Sequence, residues 1–147
     1  MNSKKKLKIL FLCTGNSCRS QMAEGWTQFL KRDIIEPFSA GTEPRSIDPL
    51  AVKVMKEVGV DISHQRSKHI DEVIHNEFDY VITVCDHARE NCPFFPGKTE
   101  KIHEGFDDPP GLAKDVKNEE KALTHYRRVR DEIREFVEKL PDVLKSQ

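Results

Sequence analysis

The sequence predicts an α/β fold with three layers, in which a parallel sheet carries helices on both faces. Short apolar runs typical of buried strands alternate along the chain with longer segments whose apolar residues recur every three or four positions. Such alternation is typical of a parallel sheet. The length of 147 residues fits one domain with its own core, so we expect a single domain over residues 1–147.

The first half of the chain predicts two strands and two helices. Residues 1–6 are basic and are expected to form a flexible tail, and Leu7 to Cys13 is an apolar run typical of a strand buried on both faces. A second strand is predicted over residues 34–40, closed by Gly41. The first helix is predicted from the apolar stripe of Met22, Ala23, Trp26, Phe29 and Leu30. The second begins at Asp48-Pro49, ends near Gly59, and has an apolar face formed by Leu50, Ala51, Val54, Met55 and Val58.

The second half predicts two more strands and a long last helix. A short helix is expected near residues 71–75, a β-branched strand over 80–84 and a weaker strand over 101–104. The last helix is expected to run from about Glu119 to Leu140. Its exposed polar face is interpreted as carrying three arginines, Arg127, Arg128 and Arg130.

The composition limits the partners and the compartment. A formal net charge of −1 argues against nucleic acid or an anionic membrane as the main partner. No apolar run approaches the roughly 20 residues that span a bilayer, and Ile9 to Leu12 is too short for the core of a signal peptide. We therefore expect a cytoplasmic protein, and a monomer because nothing marks an interface. In a reducing compartment its four cysteines are expected to be catalytic, metal-binding or buried.

The loop after the first strand has the composition of an oxyanion site. It reads Cys13-Thr14-Gly15-Asn16-Ser17-Cys18-Arg19 and joins the predicted strand to a helix. The backbone N–H groups of such a loop curl around a tetrahedral oxyanion, and the helix adds its positive end. Arg19 offers a planar fork for two oxyanion oxygens. This field is expected to lower the pKa of the Cys13 thiol and favour a nucleophilic thiolate.

The remaining loop residues carry individual expectations. Gly15 is expected to supply backbone freedom and Asn16 to tolerate a left-handed conformation. Ser17 is a candidate hydrogen-bond donor to the thiolate, and Cys18 is expected to be a structural bystander. The alternative is a buried cysteine at a strand end followed by a surface arginine, but the strand–loop–helix context favours a site.

Two further cysteines follow another predicted strand. Cys85 ends that strand, and Cys92 comes 7 residues later, after a polar segment able to form a helical turn and to rearrange. Because sites form at the carboxyl ends of parallel strands, Cys85 is expected to share a site with Cys13. One interpretation is a redox relay by thiol–disulfide exchange, from Cys13 to Cys85 to Cys92. The alternative is a pair of small core residues. A zinc site is disfavoured because the paired spacing of zinc ligands is missing.

Asp108 and His87 are the other candidates. Asp108 lies in a turn-rich stretch, where it could protonate an oxygen leaving group or act only as a turn residue or helix cap. His87, between the two late cysteines, could affect their acidity or be a solvated loop histidine. The histidines are scattered, so no metal site is expected.

These motifs together resemble the arsenate reductases that share the low-molecular-weight protein tyrosine phosphatase fold and are usually coupled to thioredoxin. The resemblance implies a four-stranded parallel sheet of flavodoxin-like topology. The matching segments occur in the family's order over nearly the whole chain: residues 11–25, 39–41, 54–63, 83–85 with 92–93, 105–109 and 128–133.

The resemblance also implies a mechanism. Cys13 attacks the arsenic of arsenate while Arg19 and the loop hold its oxygens, and Asp108 protonates the departing oxygen. Cys85 then attacks Cys13, which releases arsenite and leaves a Cys13–Cys85 disulfide. Cys92 attacks Cys85, and thioredoxin (glutaredoxin in some relatives) reduces the Cys85–Cys92 disulfide. No metal or organic cofactor is implied.

One departure from the family pattern concerns a cation. Many relatives bind potassium beside the loop through residues that match Asn16, Glu24 and Ser39, together with two positions that here are Arg66 and Lys68. Two cationic side chains would repel a bound cation. The potassium site is therefore expected to be absent, with Lys68 or Arg66 replacing the ion and pairing with Glu24.

Two other functions compete with arsenate reduction. A low-molecular-weight tyrosine phosphatase would hydrolyse a cysteinyl-phosphate with the same loop and Asp108. However, residues 41–49 include no aromatic side chain to grip a phosphotyrosine ring, and Cys85 and Cys92 would be idle. Weak activity on small phosphates is still expected, because phosphate and arsenate are both tetrahedral oxyanions. A non-enzymatic redox or arsenic sensor is the second alternative.

Overall fold

The computed structural model describes residues 5–95 and 97–145. It contains a four-stranded parallel sheet in the order β2-β1-β3-β4, which confirms the predicted α/β fold. The strands are β1 (Leu7–Cys13), β2 (Ile35–Gly41), β3 (Tyr80–Thr83) and β4 (Glu100–His103). Residues 1–4 of the predicted tail lie outside the described residues, and the rest of it is exposed.

Helices connect and cover the strands. They are α1 (Arg19–Lys31), α2 (Pro49–Glu57), α3 (Asp86–Glu90), α4 (Pro109–Ala113), α5 (Glu119–Glu138) and α6 (Asp142–Lys145). From β1 the chain crosses to β2 on one side, and from β2 it crosses back past β1 to β3. Because crossovers between parallel strands are right-handed, these two connections cover opposite faces of the sheet. The described helices include none long and apolar enough to cross a membrane.

The central strand β1 lies in the middle of the hydrophobic core. Its residues from Ile9 to Leu12 are fully buried, as predicted for a strand covered on both faces. The inner faces of α1 and α5 belong to the same buried cluster. They are joined where the Trp26 indole N–H donates to the carbonyl of Arg130 at 3.0 Å. This packing anchors α1, whose first residue ends the cysteine loop.

Two predicted elements differ in detail. The sequence predicts Phe29 on the buried stripe of α1, but Phe29 is 54% exposed and lies edge-on against the Trp26 ring from outside the core. The short helix predicted near residues 71–75 is a 3-10 turn at Ile70–Glu72. A segment this short closes a three-residue turn, and His69 caps it by accepting the N–H of Asp71.

The predicted exposure of Arg130 is also wrong. The sequence predicts that Arg130 lies on an exposed polar face, yet Arg130 is only 8% exposed. Its guanidinium donates to the carbonyl of Val54 at 3.0 Å and pairs with the carboxylate of Glu57 at 3.0 Å. The pattern of one helix cannot reveal a charge that a neighbouring helix satisfies. Arg127 and Arg128 are partly exposed and form ion pairs, in keeping with a polar face.

Candidate active site

The register of β1 and β3 brings two of the cysteines to one edge of the sheet. Leu12 pairs with Thr83, so the chain leaves both strands at the same level. The Thr14 hydroxyl lies 3.3 Å from the sulfur of Cys85. The structure therefore places Cys85 beside the loop that begins at Cys13, as the sequence predicted.

The loop from Cys13 to Arg19 is held from outside by its carbonyl groups. The carbonyls of Thr14, Gly15 and Ser17 accept N–H groups of the segment 43–48 at distances of 2.8 to 2.9 Å. In a trans peptide the C=O and N–H point in opposite directions. Carbonyls directed outwards therefore leave the loop N–H groups directed inwards, next to the N-terminus of α1. This arrangement suits a tetrahedral oxyanion.

Cys13 is buried at the base of this loop, and only 3% of its surface is exposed. Its sulfur lies 2.8 Å from the Ser20 hydroxyl and accepts the N–H of Asn16 at 3.1 Å. Burial raises the pKa of the Cys13 thiol, and the hydrogen bonds from Ser20 and Asn16 oppose that rise. The predicted lowering of this pKa is therefore wrong, because desolvation outweighs the donors. The hydrogen-bonding serine is Ser20, in the first turn of α1, and not Ser17.

Asn16 fixes the shape of the loop. It has a positive φ of 48°, so the left-handed position falls here and not at Gly15. Its side-chain amide nitrogen donates to the Ser20 hydroxyl at 2.8 Å, and that hydroxyl contacts the sulfur of Cys13. Gly41 closes this region from β2, because a side chain there would collide with the Thr14 carbonyl oxygen. Sequence reasoning missed both Ser20 and this close approach.

Arg19 and Asp108 lie together at the mouth of the loop. One guanidinium nitrogen of Arg19 donates to the carbonyl of Phe106 at 2.9 Å, and another lies 3.5 Å from an Asp108 carboxylate oxygen. Asp108 occupies the N-cap position of α4, but its side chain makes no capping hydrogen bond and is 50% exposed. A pure capping role therefore does not account for it.

An open cavity of about 510 Å³ lies over the loop. Cys13, Arg19 and Asp108 line it, whereas Cys85 and Cys92 are not among its lining residues. Arg45 and His87 also line it, and His87 pairs with Glu43 at 3.0 Å. Arg45 was not identified from the sequence, since an arginine in a turn carries no signal of what it faces. Within residues 5–95 and 97–145, no group of three or more His, Cys, Asp or Glu side chains is placed to hold a metal ion.

Comparison with known proteins decides the family. Residues 8–147 match the family model described as low molecular weight phosphotyrosine protein phosphatase. The arsenate reductase of Halalkalibacterium halodurans is 50% identical over 128 residues, which cover 87% of this chain and 90% of that protein. The chain belongs to the low molecular weight phosphotyrosine protein phosphatase family, on its arsenate reductase branch.

Solved structures of this phosphatase family agree with the fold. An arsenate reductase in the phosphate binding state has a TM-score of 0.70 and 33% identity, covering 91% of this chain and 95% of that chain. A thioredoxin-dependent arsenate reductase of Corynebacterium glutamicum has a TM-score of 0.69 and 27% identity, covering 99% of this chain and 66% of that chain. The family resemblance predicted from the motifs is therefore confirmed.

Helix α3 lies between Cys85 and Cys92 in the chain. Cys85 is its N-cap, with the sulfur accepting the N–H of Ala88 at 3.4 Å, and Cys92 follows Asn91, the C-cap. At the rise of a helix, the six steps from Cys85 to Asn91 span about 9 Å. A disulfide needs Cα atoms about 4.4 to 6.8 Å apart. The helix therefore holds its own two ends, Cys85 and Asn91, farther apart than a disulfide allows, and how close Cys92 comes to Cys85 depends on the turn that follows Asn91.

The cysteines differ in burial and in the acidity of their thiols. Cys85 is buried beside the loop, whereas Cys92 is partly exposed. Burial raises the pKa of the Cys92 thiol, and the charge of Lys101 opposes that rise. Burial raises the pKa of the Cys18 thiol well above its usual range.

Proposed function

We propose that this protein is a cytoplasmic arsenate reductase, working as one domain, that uses Cys13, Cys85 and Cys92 as a relay and thioredoxin as electron donor. One observation carries the proposal: a second thiol, Cys85, lies at the loop of the nucleophile, 3.3 Å from the Thr14 hydroxyl. Hydrolysis of a phosphate ester has no use for this thiol, whereas reduction of arsenate requires a second thiol so that the pair can supply two electrons to arsenic and form a disulfide. Relatives of the same branch carry the name arsenate reductase.

The first step is the attack of Cys13 on arsenate. The loop N–H groups, the N-terminus of α1 and the guanidinium of Arg19 bind the arsenate oxygens. A relative of this fold binds phosphate, an oxyanion of the same shape. The Cys13 thiol gives up its proton with help from Ser20, and its sulfur forms a bond to arsenic. Asp108 supplies a proton to the arsenate oxygen, which departs as water.

The second step transfers two electrons to arsenic. The Cys85 thiolate attacks the sulfur of Cys13, and a Cys13–Cys85 disulfide forms. The sulfur–arsenic bond breaks, and its electron pair stays on arsenic, which leaves as arsenite. The Thr14 hydroxyl, in contact with Cys85, stabilises the attacking thiolate.

The third step moves the disulfide outwards. Cys92 attacks the sulfur of Cys85 and releases Cys13 as a thiolate for the next cycle. Since α3 and its C-cap lie between Cys85 and Cys92 in the chain, a rearrangement of residues 86–91 is proposed to accompany this step. A donor dithiol then reduces the Cys85–Cys92 disulfide. Thioredoxin is favoured as that donor because a relative that spans 99% of this chain is thioredoxin-dependent.

A tyrosine phosphatase remains the second candidate, since the family model is a phosphatase model. The loop, Arg19 and Asp108 would serve it equally well. The cavity is lined by Arg45, Ser46 and Ile47 at the place where an aromatic side chain would hold a phosphotyrosine ring. We therefore propose only a weak side activity on small phosphates.

The test measures both reactions with the same preparation. Arsenate is supplied with thioredoxin, thioredoxin reductase and NADPH, and in parallel with glutathione and glutaredoxin. Arsenite formation is expected with the thioredoxin system, with one NADPH oxidised per arsenite released. Hydrolysis of p-nitrophenyl phosphate is expected to be much slower. Efficient hydrolysis without arsenite formation would instead assign the protein to the phosphatases.

The surface beside Cys92 is proposed as the docking surface for thioredoxin. A donor whose sulfur reaches the Cys85–Cys92 disulfide covers about 800 Å² of this protein if the interface has the usual size. Phe94 lies two residues from Cys92, at most about 7 Å along the chain. Its side chain is 80% exposed, so it is available to a donor that docks at Cys92. Exposed aromatic side chains at interface centres often carry much of the binding energy.

The substitution Phe94→Ser is expected to raise KM for thioredoxin by about tenfold, because a buried aromatic anchor contributes more than 1 kcal/mol. Arsenite released in the first turnover should not change, since that step needs no donor. Phe29→Ser is the matched control, an exposed phenylalanine on α1 that should leave KM unchanged. An unaltered KM for thioredoxin in Phe94→Ser would exclude this anchor while leaving the relay intact.

A further inference from the structure

A polar cluster beside the loop takes no part in the chemistry proposed above. The hydroxyl of Ser39 donates to the carboxylate of Glu24 at 2.5 Å, and Ser39 is fully buried. The ammonium of Lys68 donates to the carbonyl of Ser39 at 3.0 Å and to the carbonyl of Arg66 at 2.8 Å. A carboxylate and an ammonium thus share a pocket of oxygen atoms between α1, β2 and the segment after α2.

The two charges of the cluster stabilise each other. Burial raises the pKa of Glu24, and the Ser39 hydrogen bond and the charge of Lys68 oppose that rise. Burial lowers the pKa of Lys68, and the charge of Glu24 opposes that fall. Either charge alone would be costly in this half-buried place. Removing the ammonium would therefore take away the larger of the two positive charges that act on Glu24, the other being His64, and the donor to both carbonyls.

The cluster is connected to the nucleophile through Asn16. The backbone N–H of Lys68 donates to the side-chain oxygen of Asn16 at 2.9 Å, and the Ser67 hydroxyl donates to the Asn16 carbonyl at 2.5 Å. Asn16 in turn donates its backbone N–H to the sulfur of Cys13. The position of the segment 66–68 therefore sets the position of the residue that shapes the loop.

The potassium ion implied by the family resemblance does not fit this cluster. Carbonyl and carboxylate oxygens are the donors that such a cation prefers. Here the ammonium already donates to two of those carbonyls, and a second positive charge beside it would be repelled. Arg66 is not the replacement, because its guanidinium pairs with Glu72 at 2.6 Å and only its carbonyl faces the cluster.

We propose that the ammonium of Lys68 is a built-in cation, which holds Glu24, Ser39 and the segment 66–68 together and so positions Asn16 in the loop without a metal ion. Lys68 is a positioning residue, since it acts on Cys13 through Asn16. The proposal predicts that potassium has no specific effect on the wild-type protein. It also predicts that removing the ammonium creates a potassium dependence, because the oxygen donors remain.

The test compares Lys68→Ala and Lys68→Met with the wild type and with Arg66→Ala as the matched control. Melting temperature, the rate of Cys13 alkylation by iodoacetamide and kcat/KM for arsenate are measured in potassium chloride and in sodium chloride of equal ionic strength. The wild type and Arg66→Ala should behave alike in both salts. In sodium, the Lys68 variants should melt earlier, alkylate at Cys13 at an altered rate and lose about tenfold in kcat/KM, as for a lost charge-assisted hydrogen bond. Potassium should restore all three.

Each other outcome overturns the proposal. Higher stability or activity of the wild type in potassium than in sodium would show that a bound ion, and not Lys68, positions Asn16. The proposal would also be contradicted by Lys68 variants that match the wild type in sodium, or that are equally impaired in both salts. The kinetic measurement rests on the proposed arsenate reduction. Melting temperature and Cys13 alkylation do not, so they decide the question even if arsenate is not reduced.

Discussion

Replacing Cys92 with serine is expected to limit arsenate reduction to a single turnover. The loop, Arg19 and Cys85 are untouched, so Cys13 attacks arsenate and Cys85 releases arsenite. The Cys13–Cys85 disulfide then has no internal thiol to resolve it. It lies at the buried base of the loop, since Cys13 is 3% and Cys85 is 6% exposed, out of reach of a donor protein. Arsenite release should stop at about one per protein, which rapid-quench arsenite analysis measures.

The variant Cys85→Ser is expected to stop the reaction one step earlier than Cys92→Ser. Cys85→Ser should release no arsenite with thioredoxin present, because no thiol breaks the bond between Cys13 and arsenic. Peptide mapping without reductant should find the Cys13–Cys85 disulfide in Cys92→Ser and no disulfide at Cys13 in Cys85→Ser. Repeated turnover of Cys92→Ser with thioredoxin alone would refute the relay.

Replacing Arg19 with lysine is expected to lower kcat/KM for arsenate by about 10²–10³, the usual cost of removing a donor aimed at transition-state charge. The guanidinium does two tasks at once. It is held by the Phe106 carbonyl at 2.9 Å, and it is still planar and forked for two oxyanion oxygens. A lysine ammonium has the charge but not the fork, so it cannot keep both sets of hydrogen bonds.

The control for this prediction is Arg45→Lys. Arg45 also lines the cavity, but its side chain is exposed at the rim, where loss of the fork should change kcat/KM only a few-fold. Steady-state kinetics should be paired with a melting curve for each variant, to separate lost catalysis from lost folding. Arg19→Lys with wild-type kcat/KM would contradict the assignment of Arg19 to the oxyanion.

The parts of the molecule that the sequence predicts well are those with local causes. The apolar run of β1 and the Asp48-Pro49 start of α2 are set by residues adjacent in the chain, and the Asp48 side chain accepts the N–H of Leu50 as an N-cap does. Helices α4 and α6 were not predicted. At 5 and 4 residues they are too short to show a helical period.

The parts of the site that were missed depend on distant contacts. Ser20 faces the sulfur of Cys13 only because the loop turns back onto the first turn of α1. The acidity of Cys13 depends on burial, which lowers the stability of the charged form and is not visible in a motif. The choice between Lys68 and Arg66 likewise required knowing that Glu72 lies within 2.6 Å of Arg66.

The most direct test of the central claim uses the wild-type protein, fully reduced and freed of reductant, with excess arsenate and no donor. The relay predicts about one arsenite per protein, because one dithiol supplies the two electrons of one reduction. Mapping of the product should find a disulfide between Cys85 and Cys92 with Cys13 free. Release of arsenite without that disulfide, or no arsenite at all, would contradict the account.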